Sequence, residues 1–252
     1  MLDWFRRIRK VSRKLSLPSR ESGSGRSQVQ LNPSKLTPPA NIYLSHFALV
    51  QLTIADLMQD DSINAPSPEI RESQMEISRK YRERYSEIEA LVSKTDASKM
   101  DLQAEIRDRL DLLIQRTEGF GWHEDLMRIY IVFGLIEDAL QQVSRGLSPA
   151  RRIKIEAMML DRSLENFCHD QLSKAISDSP EIAGRLAMFG RMVVADALLE
   201  IRDSVDLEQI LTQPLPSDPT ELAREQFKAL EPFTSELISE HTLRMDRLGL
   251  TA

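Results

Sequence analysis

An uninterrupted apolar segment near the middle of the chain constrains the fold more than any other feature. Within Glu124–Val143, the segment Ile129–Ile136 is apolar on every side of a helix, interrupted only by Tyr130 and Gly134. A helix that is apolar all round is surrounded by other helices or by lipid. The segment is too short to cross a bilayer, which needs roughly 20 apolar residues. It therefore predicts the central helix of a bundle.

The composition favours helices and a large core. Of the 252 residues, 41% are hydrophobic and only 9 are glycine, while Leu, Ala, Glu and Arg are abundant, as is typical of helical proteins. The single cysteine, Cys168, excludes an intrachain disulfide, and no apolar segment follows the basic amino end as it would in a signal peptide. These features predict a cytoplasmic protein without a transmembrane helix.

Positive charge is concentrated at the amino end. Residues 1–35 contain nine Lys or Arg and two acids, a balance of +7, so the remaining residues carry −6 − 7 = −13. Residues 2–15 have the spacing of a basic amphipathic helix, and residues 2–20 could contact RNA, an anionic membrane or an acidic partner. The alternative is a loosely ordered tail. The basic side chains are Arg6, Arg7, Arg9, Lys10, Arg13 and Lys14.

A flexible linker is predicted after this basic segment. Residues 16–39 carry four prolines and the run SGSGRS, a composition typical of linkers. We therefore divide the chain into a basic segment with its linker, residues 1–39, and a helical domain, residues 40–252.

Capping signals divide the domain into helices. Ser-Pro pairs at 67–68, 148–149 and 179–180, and Asp-Pro at 218–219, place a cap before a proline at the first helical position. His46 and Gln51 are the polar residues of the first helix that should approach the core. With short connections, the pattern predicts an all-α, antiparallel bundle. The predicted helices are 41–59, 67–91, 98–115, 122–145, 148–177, 180–204 and 218–248, the last with a bend near Pro232.

Bundles of this kind often hold two metal ions, which are bound by a Glu from each of two helices and a Glu-x-x-His from each of the other two. The residues three positions before the four histidines are Tyr43, Phe120, Asn166 and Ile238, so the motif is absent. A weaker metal site could combine Asp161, Glu165 and His169 on one helix face, with Glu137 from another helix. The alternative is that these residues are solvated surface groups. Cys168, beside His169, is predicted to be a buried and inert thiol.

Three segments resemble the ferritin-like, MiaE-like tRNA hydroxylase family of actinobacteria. They are IYIVFGLI at 129–136 followed by Asp138, PEIAGRLAMF at 180–189, and HTLRMDRLGL at 241–250. The resemblance covers about residues 41–250. It implies a ferritin-like bundle with extra helices at the carboxyl end. The hydroxylases of that family hold two irons and hydroxylate a prenylated, methylthiolated adenosine in tRNA.

The resemblance also implies where iron ligands would lie, and most of those positions carry other residue types. Matched to the family, the ligand positions are Gln51, Arg79, Arg82, Phe133, Asp161 and Leu164, of which only Asp161 has a metal-binding side chain. The two arginines are expected to point inward and to pair with Asp161 or Asp138. This pattern predicts a degenerate bundle with no cofactor; the alternative is a di-iron cofactor.

Three functions follow from these observations. The first is a non-catalytic interaction or scaffold protein that binds an unknown protein partner or forms a homodimer. The second is a metal-dependent hydroxylase acting on tRNA with an unusual ligand set. The third is an adaptor that binds RNA or a membrane through the basic amino end.

Overall fold

The computed structural model of the chain describes residues 32–92, 98–206, 211 and 217–251. Within these residues the regular structure is helical throughout, which confirms the all-α prediction. A π-helical turn, Ile129–Phe133, joins the fourth and fifth α-helices into one continuous helix. The α-helices are α1 (Ala40–Asp61), α2 (Pro68–Glu89), α3 (Ser98–Arg116), α4 (Trp122–Arg128), α5 (Gly134–Val143), α6 (Pro149–Met159), α7 (Ser163–Asp178), α8 (Pro180–Asp203) and α9 (Pro219–Arg247).

The π-helical turn lies at the centre of the bundle. Each of its five residues is no more than 3% exposed, and the turn contacts α1, α7 and α8 besides the two helices that it joins. The apolar segment therefore forms the central helix, as its sequence predicts. A π-helical turn changes the direction in which the following side chains point, and such turns are frequent at functional sites.

The first helix runs antiparallel to the central helix and is held along its length by polar contacts. The Tyr43 hydroxyl donates to the Leu140 carbonyl at 2.9 Å near one end, and Arg128 lies 3.9 Å from Asp61 near the other. The second helix returns against α1, where the Ser78 hydroxyl donates to a carbonyl of α1 at 2.7 Å. His46 and Gln51 are both buried, as expected from their positions on α1.

The helix starts agree with the capping signals of the sequence. The Ser67 hydroxyl accepts from the backbone N–H of Ile70, and the Ser179 hydroxyl accepts from that of Ile182. The last helix begins at the predicted Asp218 cap and continues as one helix through Pro232. Within the described parts of the chain, no helix combines the length and apolar character that a membrane span requires.

The structured domain begins earlier than predicted. A short 3-10 helix, Pro33–Leu36, precedes α1, and Leu36 is completely buried. The Leu36 carbonyl accepts from the backbone N–H of Asp206 at 2.9 Å, which fixes this segment beside the end of α8. The ordered structure thus extends several residues before the predicted boundary near Ala40, because the buried Leu36 lies among the prolines of the predicted linker. The predicted basic helix at residues 2–15 lies outside the described residues.

The predicted helix 148–177 is in fact two helices, α6 and α7. The Asp161 carboxylate accepts from both the backbone N–H of Ser163 at 2.9 Å and its hydroxyl at 3.1 Å. An aspartate that bonds the backbone two residues later competes with helical hydrogen bonding. The chain therefore turns at residues 160–162 and brings Asp161 to the rim of the central cavity described below.

Candidate functional site at the bundle centre

A cavity of about 40 Å³ lies between the helices at the middle of the bundle. Its wall combines residues of α2, the π-helical turn, α5, α7 and α9, which come from distant parts of the sequence. A polar cavity of this size accommodates a few water molecules or one small ion. The polar or reactive side chains in its wall include Tyr81, Arg84, Tyr130, Glu137, Glu165, Cys168 and Arg244.

One side of the cavity is a hydrogen-bonded group centred on Glu137. The Gln51 amide donates to one carboxylate oxygen of Glu137 at 3.0 Å, and the Tyr81 hydroxyl donates to the other at 3.5 Å. Burial raises the pKa of Glu137, against the opposing effect of the hydrogen bond from Gln51. The two neighbours therefore satisfy this acid without a cation in contact with it.

A second side is formed by Arg84, which enters from α2. Its side chain is only 10% exposed and donates to Asp161 at 2.9 Å, while its guanidinium lies 4.3 Å from the centre of the Tyr81 ring. Burial raises the pKa of Asp161, but the hydrogen bonds from Ser163 and the charge of Arg84 outweigh it and leave that pKa below its ordinary value. Asp161 is thus a charged partner of Arg84.

The third side is formed by Arg244, which enters from α9. Its side chain is 7% exposed, and one terminal nitrogen lies 2.7 Å from the Asp138 carboxylate. The other donates to the Gly134 carbonyl at 3.3 Å. A Cβ atom on Gly134 would lie 3.0 Å from Nε of Arg244, so glycine at this position gives the guanidinium its room. Although burial lowers the pKa of Arg244, Asp138 and its hydrogen bond raise it overall.

The structure corrects the positions from which arginine enters the bundle. Arg79 and Arg82 point outward, where Arg79 pairs with Glu76 and Arg82 donates to Asp56 at 2.6 Å. The expectation that these two arginines point inward is therefore wrong, although guanidinium groups do pair with Asp161 and Asp138. The inward residues of α2 follow the spacing of Ile77, Tyr81, Arg84 and Ile88, a helical stripe that the sequence also displays.

The remaining positions that the family resemblance assigns to iron ligands do not all lie at the cavity. Gln51 bonds Glu137 at the cavity, and Leu164 and Asp161 line its wall. Phe133 is completely buried within the bundle and does not line the cavity, whereas Glu137, one turn later on the central helix, does. From α7, Glu165 and Cys168 line the wall.

The weaker metal site does not form. Glu165 pairs with Arg162 at 2.7 Å and with Arg247 at 2.8 Å, and Asp161 pairs with Arg84. His169 is partly exposed and lies 3.2 Å from Asp170. Across residues 32–92, 98–206 and 217–251, no three His, Cys, Asp or Glu side chains converge as a metal site requires. The structure therefore does not bring Asp161, Glu165, His169 and Glu137 together as one ligand set.

A di-metal centre would need Glu, Glu-x-x-His, Glu and Glu-x-x-His on four helices. Six residues in or beside the cavity match this pattern by helix and spacing: Gln51 on α1, Tyr81 and Arg84 on α2, Glu137 on α5, and Glu165 and Cys168 on α7. The three-residue spacing is kept twice, but these six include only two carboxylates and no imidazole. The other acids of the wall, Asp138 and Asp161, are paired with Arg244 and Arg84. The residues present do not fit a pair of irons.

Cys168 is completely buried, and burial raises the pKa of its thiol. A thiol that stays protonated is neither a good nucleophile nor a good metal ligand. Its predicted burial is confirmed.

Two further polar groups lie elsewhere in the core and were not expected from the sequence. In one, Glu200 of α8 bonds both His46 and Arg109 at 3.0 Å. In the other, burial and the nearby Asp125 raise the pKa of Asp61 to about 7, against the opposing charge of Arg128. Both groups join helices that are distant in sequence, so no local pattern identifies them.

Comparison with known proteins identifies the fold family. A family model described as a ferritin-like domain of actinomycetes matches residues 41–214, more than half of the chain. Among curated proteins, none matches this chain. The matched range contains α1 to α8 and so includes most of the cavity wall, whereas Arg244 lies beyond it.

Proposed function

The chain belongs to the ferritin-like domain family of actinomycetes, and from this premise we propose that it is a non-catalytic interaction protein whose metal centre has been lost. The observation that carries the proposal is the pair of buried guanidinium groups, Arg84 and Arg244, in the wall of the central cavity. Each has an acid partner, Asp161 or Asp138. The arginines supply the positive charge that metal ions would otherwise supply to the acids of such a cavity.

Electrostatics supports the proposal, because the buried guanidinium groups oppose a divalent ion in this cavity. A divalent ion about 5 Å from a guanidinium is repelled by roughly 7 kcal/mol at an effective dielectric constant of about 20. The remaining ligand-type groups do not offset this cost, because Glu137 is held by Gln51 and Tyr81, while Glu165 is held by Arg162 and Arg247. The cavity is therefore suited to holding the bundle together and not to oxygen chemistry.

Metal analysis tests this proposal. The purified full-length chain is incubated with ferrous iron without oxygen, desalted, and measured by inductively coupled plasma mass spectrometry. We expect far less than one iron per chain. A content near two irons per chain would reject the proposal and would support the alternative, a metal-dependent tRNA hydroxylase like the MiaE-like proteins that the sequence resembles.

A second candidate function rests on the separation of charge along the chain. The balance of +7 in residues 1–35 against −13 in the rest favours an adaptor in the cytoplasm that binds RNA or an anionic membrane through the basic end. Replacing Arg6, Arg7, Arg9 and Lys10 together with glutamine is the appropriate test. Deletion up to residue 36 would remove the buried Leu36 and would damage the fold.

If the chain is such an adaptor, it should co-sediment with vesicles that contain anionic lipid, or it should retain RNA. In either case, the binding should weaken as the salt concentration rises. The four glutamine substitutions should weaken that binding strongly. Neutral vesicles are the control for nonspecific adsorption. Equal binding by the native chain and the substituted chain would exclude residues 2–20 as the binding element.

A further inference from the structure

The helix α8 is apolar on both its inner and its outer faces. Its inner face packs Leu186, Val193 and Ala197 into the core. On the opposite side, Met188 is 57%, Met192 59% and Leu199 43% exposed, and the exposed Ala195 lies between the last two. An exposed apolar stripe often marks an interaction surface, and the described residues cover only the inner face of this helix.

We infer that the outer face of α8 binds the same face of a second copy of this chain. This inference refines the interaction role proposed above. The four residues Met188, Met192, Ala195 and Leu199 are spaced by four, three and four positions. This is the spacing of a helix-pairing seam, and it reads the same in reverse, so the stripe matches an antiparallel copy of itself. Isologous two-fold contacts of this kind are the commonest in homo-oligomers.

In the antiparallel pairing, the facing side chains are also complementary in size. Met188 meets Leu199 of the partner subunit, and Met192 meets the partner subunit's Ala195. A long, flexible methionine opposite an alanine fills the space that the small side chain leaves. Gly184, with open space around its Cβ position, continues the same face towards the start of the helix. Close approach of the two helices is therefore possible along the seam.

Charge supports an antiparallel second copy over other occupants. Arg185 and Asp203 lie on the same flank of the stripe, separated by about 27 Å along the helix, so they cannot meet within one chain. Reversal about the middle of the stripe places Arg185 beside the partner subunit's Asp203, twice per dimer. Their present partners are Glu124 and Arg202, and both side chains remain about half exposed and open to further contacts.

The basic amino end of the same chain is a poorer occupant. Arg185 and Arg191 border the stripe, and they would repel the six Lys and Arg side chains of residues 2–15. In the reversed pairing Arg191 comes within about 7 Å of its own copy along the helix axis, but it donates to the Thr251 carbonyl at 2.7 Å within its own chain. A second copy therefore brings fewer like charges to the stripe than the basic amino end would.

Sedimentation velocity on the full-length chain tests the inference. The seam covers about 16 Å of helix, a small contact, so we expect a weak dimer whose dissociation constant lies in the range of about 1 to 100 µM. Met192→Glu should weaken association by about tenfold or more, because each dimer would bury two charges. Met75→Glu, a matched change on the half-exposed face of α2, should leave it unchanged.

A monomer at all concentrations would overturn the inference, whether another segment of the chain covers the stripe or nothing does. Equal dimerisation of the native chain and Met192→Glu would overturn it as well, because the contact would then lie elsewhere. Circular dichroism of each variant confirms that the fold is retained. Iron analysis does not depend on this result, so a failed metal proposal and a failed dimer are distinguishable.

Two further sets of variants, a charge swap and a cysteine pair, test the geometry of the seam directly. Arg185→Asp and Asp203→Arg should each weaken the dimer, and the two changes together should restore it, an outcome that only a pairing between copies explains. The double substitution Met192→Cys and Ala195→Cys should give a covalent dimer on mild oxidation. The native Cys168 is completely buried and serves as the internal control, since the unsubstituted chain should not cross-link. Failure of the swapped pair to recover association would reject the antiparallel arrangement.

Discussion

Two successive stretches of the central helix are stabilised by opposite kinds of contact, apolar packing in one and polar pairing in the other. The turn Ile129–Phe133 packs mainly against hydrocarbon, although Tyr130 reaches the cavity wall. The acids one turn later, Glu137 and Asp138, bond or pair with Gln51, Tyr81 and Arg244 from three other helices. The first region needs only that its neighbours be apolar and of suitable size. The second needs particular donors at particular distances, so a single change there leaves a charge or a polar group without its partner.

The strongest way to break this contrast is to rebuild a metal site in the polar region. Gln51→Glu, Tyr81→Glu, Arg84→His and Cys168→His together would complete the Glu and Glu-x-x-His pattern around the native Glu137 and Glu165. We expect the variant to bind Co²⁺ with a dissociation constant of about 1 µM, equivalent to roughly 8 kcal/mol, because Arg84 has been removed and Asp138 balances the charge of the remaining Arg244. Metal should therefore raise its melting temperature.

The native chain with the same metal is the control, and its melting temperature should not move. Visible absorption of Co²⁺ reports whether nitrogen and oxygen ligands surround the ion. A quadruple variant that ignores Co²⁺ while keeping its helical content would show that these six positions are not a vacated ligand set.

The apolar region should give the next largest effect. Phe133→Ala removes a ring that is completely buried, and we expect a loss of about 3–5 kcal/mol in the free energy of unfolding. Phe227→Ala is the matched control, because that ring is 74% exposed. Urea unfolding measures both. Similar losses for the two variants would mean that the central turn is not packed as described.

Local patterns are enough to predict the apolar region and the helix starts. The run at 129–136 requires burial whatever its partners are, and Ser67 and Ser179 bond backbone groups only three residues away. Such features depend on residues that are close in sequence. The ferritin-like family was also predicted from the sequence, and the family model that matches residues 41–214 confirms it.

For the polar region, the sequence predicts the types of residue that enter the bundle but not which residues they are. That arginine enters the bundle follows from the swapped ligand types, but the choice among Arg79, Arg82 and Arg84 depends on which face of α2 packs inward. The stripe of Ile77, Tyr81 and Ile88 identifies Arg84 once that face is chosen. Arg244 has no local signal, because its place depends on the docking of α9 and on the space beside Gly134. Long-range packing therefore decides what sequence periodicity leaves open.

The ion pair between Arg244 and Asp138 should give an intermediate effect. Arg244→Met leaves Asp138 largely buried without its cation, and we expect a loss of about 3 kcal/mol in the free energy of unfolding. Arg247→Met, on the same helix but with a side chain 57% exposed, should cost no more than about 1 kcal/mol. Thermal or urea unfolding at neutral pH separates the two.

The double variant Arg244→Met with Asp138→Leu sharpens the result. Replacing both members of a buried pair by apolar groups is often neutral or stabilising, so most of the loss should be recovered. If the double variant is as unstable as the sum of its single changes, the two residues act independently and the ion pair is not the source of the effect.

The smallest expected effect concerns pH and lies in the separate polar group at Asp61. Its pKa is raised from 3.8 to about 7 in the folded chain, so the folded state holds a proton that the unfolded state has released. Its contribution to stability is therefore full below about pH 4, declines as pH rises towards 7, and is absent above that. Asp61→Asn keeps the shape of the protonated acid without titrating, so it should reduce the loss of unfolding free energy between pH 5 and 7 by about 1–2 kcal/mol.

Urea unfolding of the native chain and of Asp61→Asn across this pH range measures the difference. Identical pH profiles would show that Asp61 is ionised throughout and that the charge of Arg128 balances the cost of its burial. Asp61 and Arg128 would then be an ion pair like those of the central cavity, and they would differ from the apolar turn beside them.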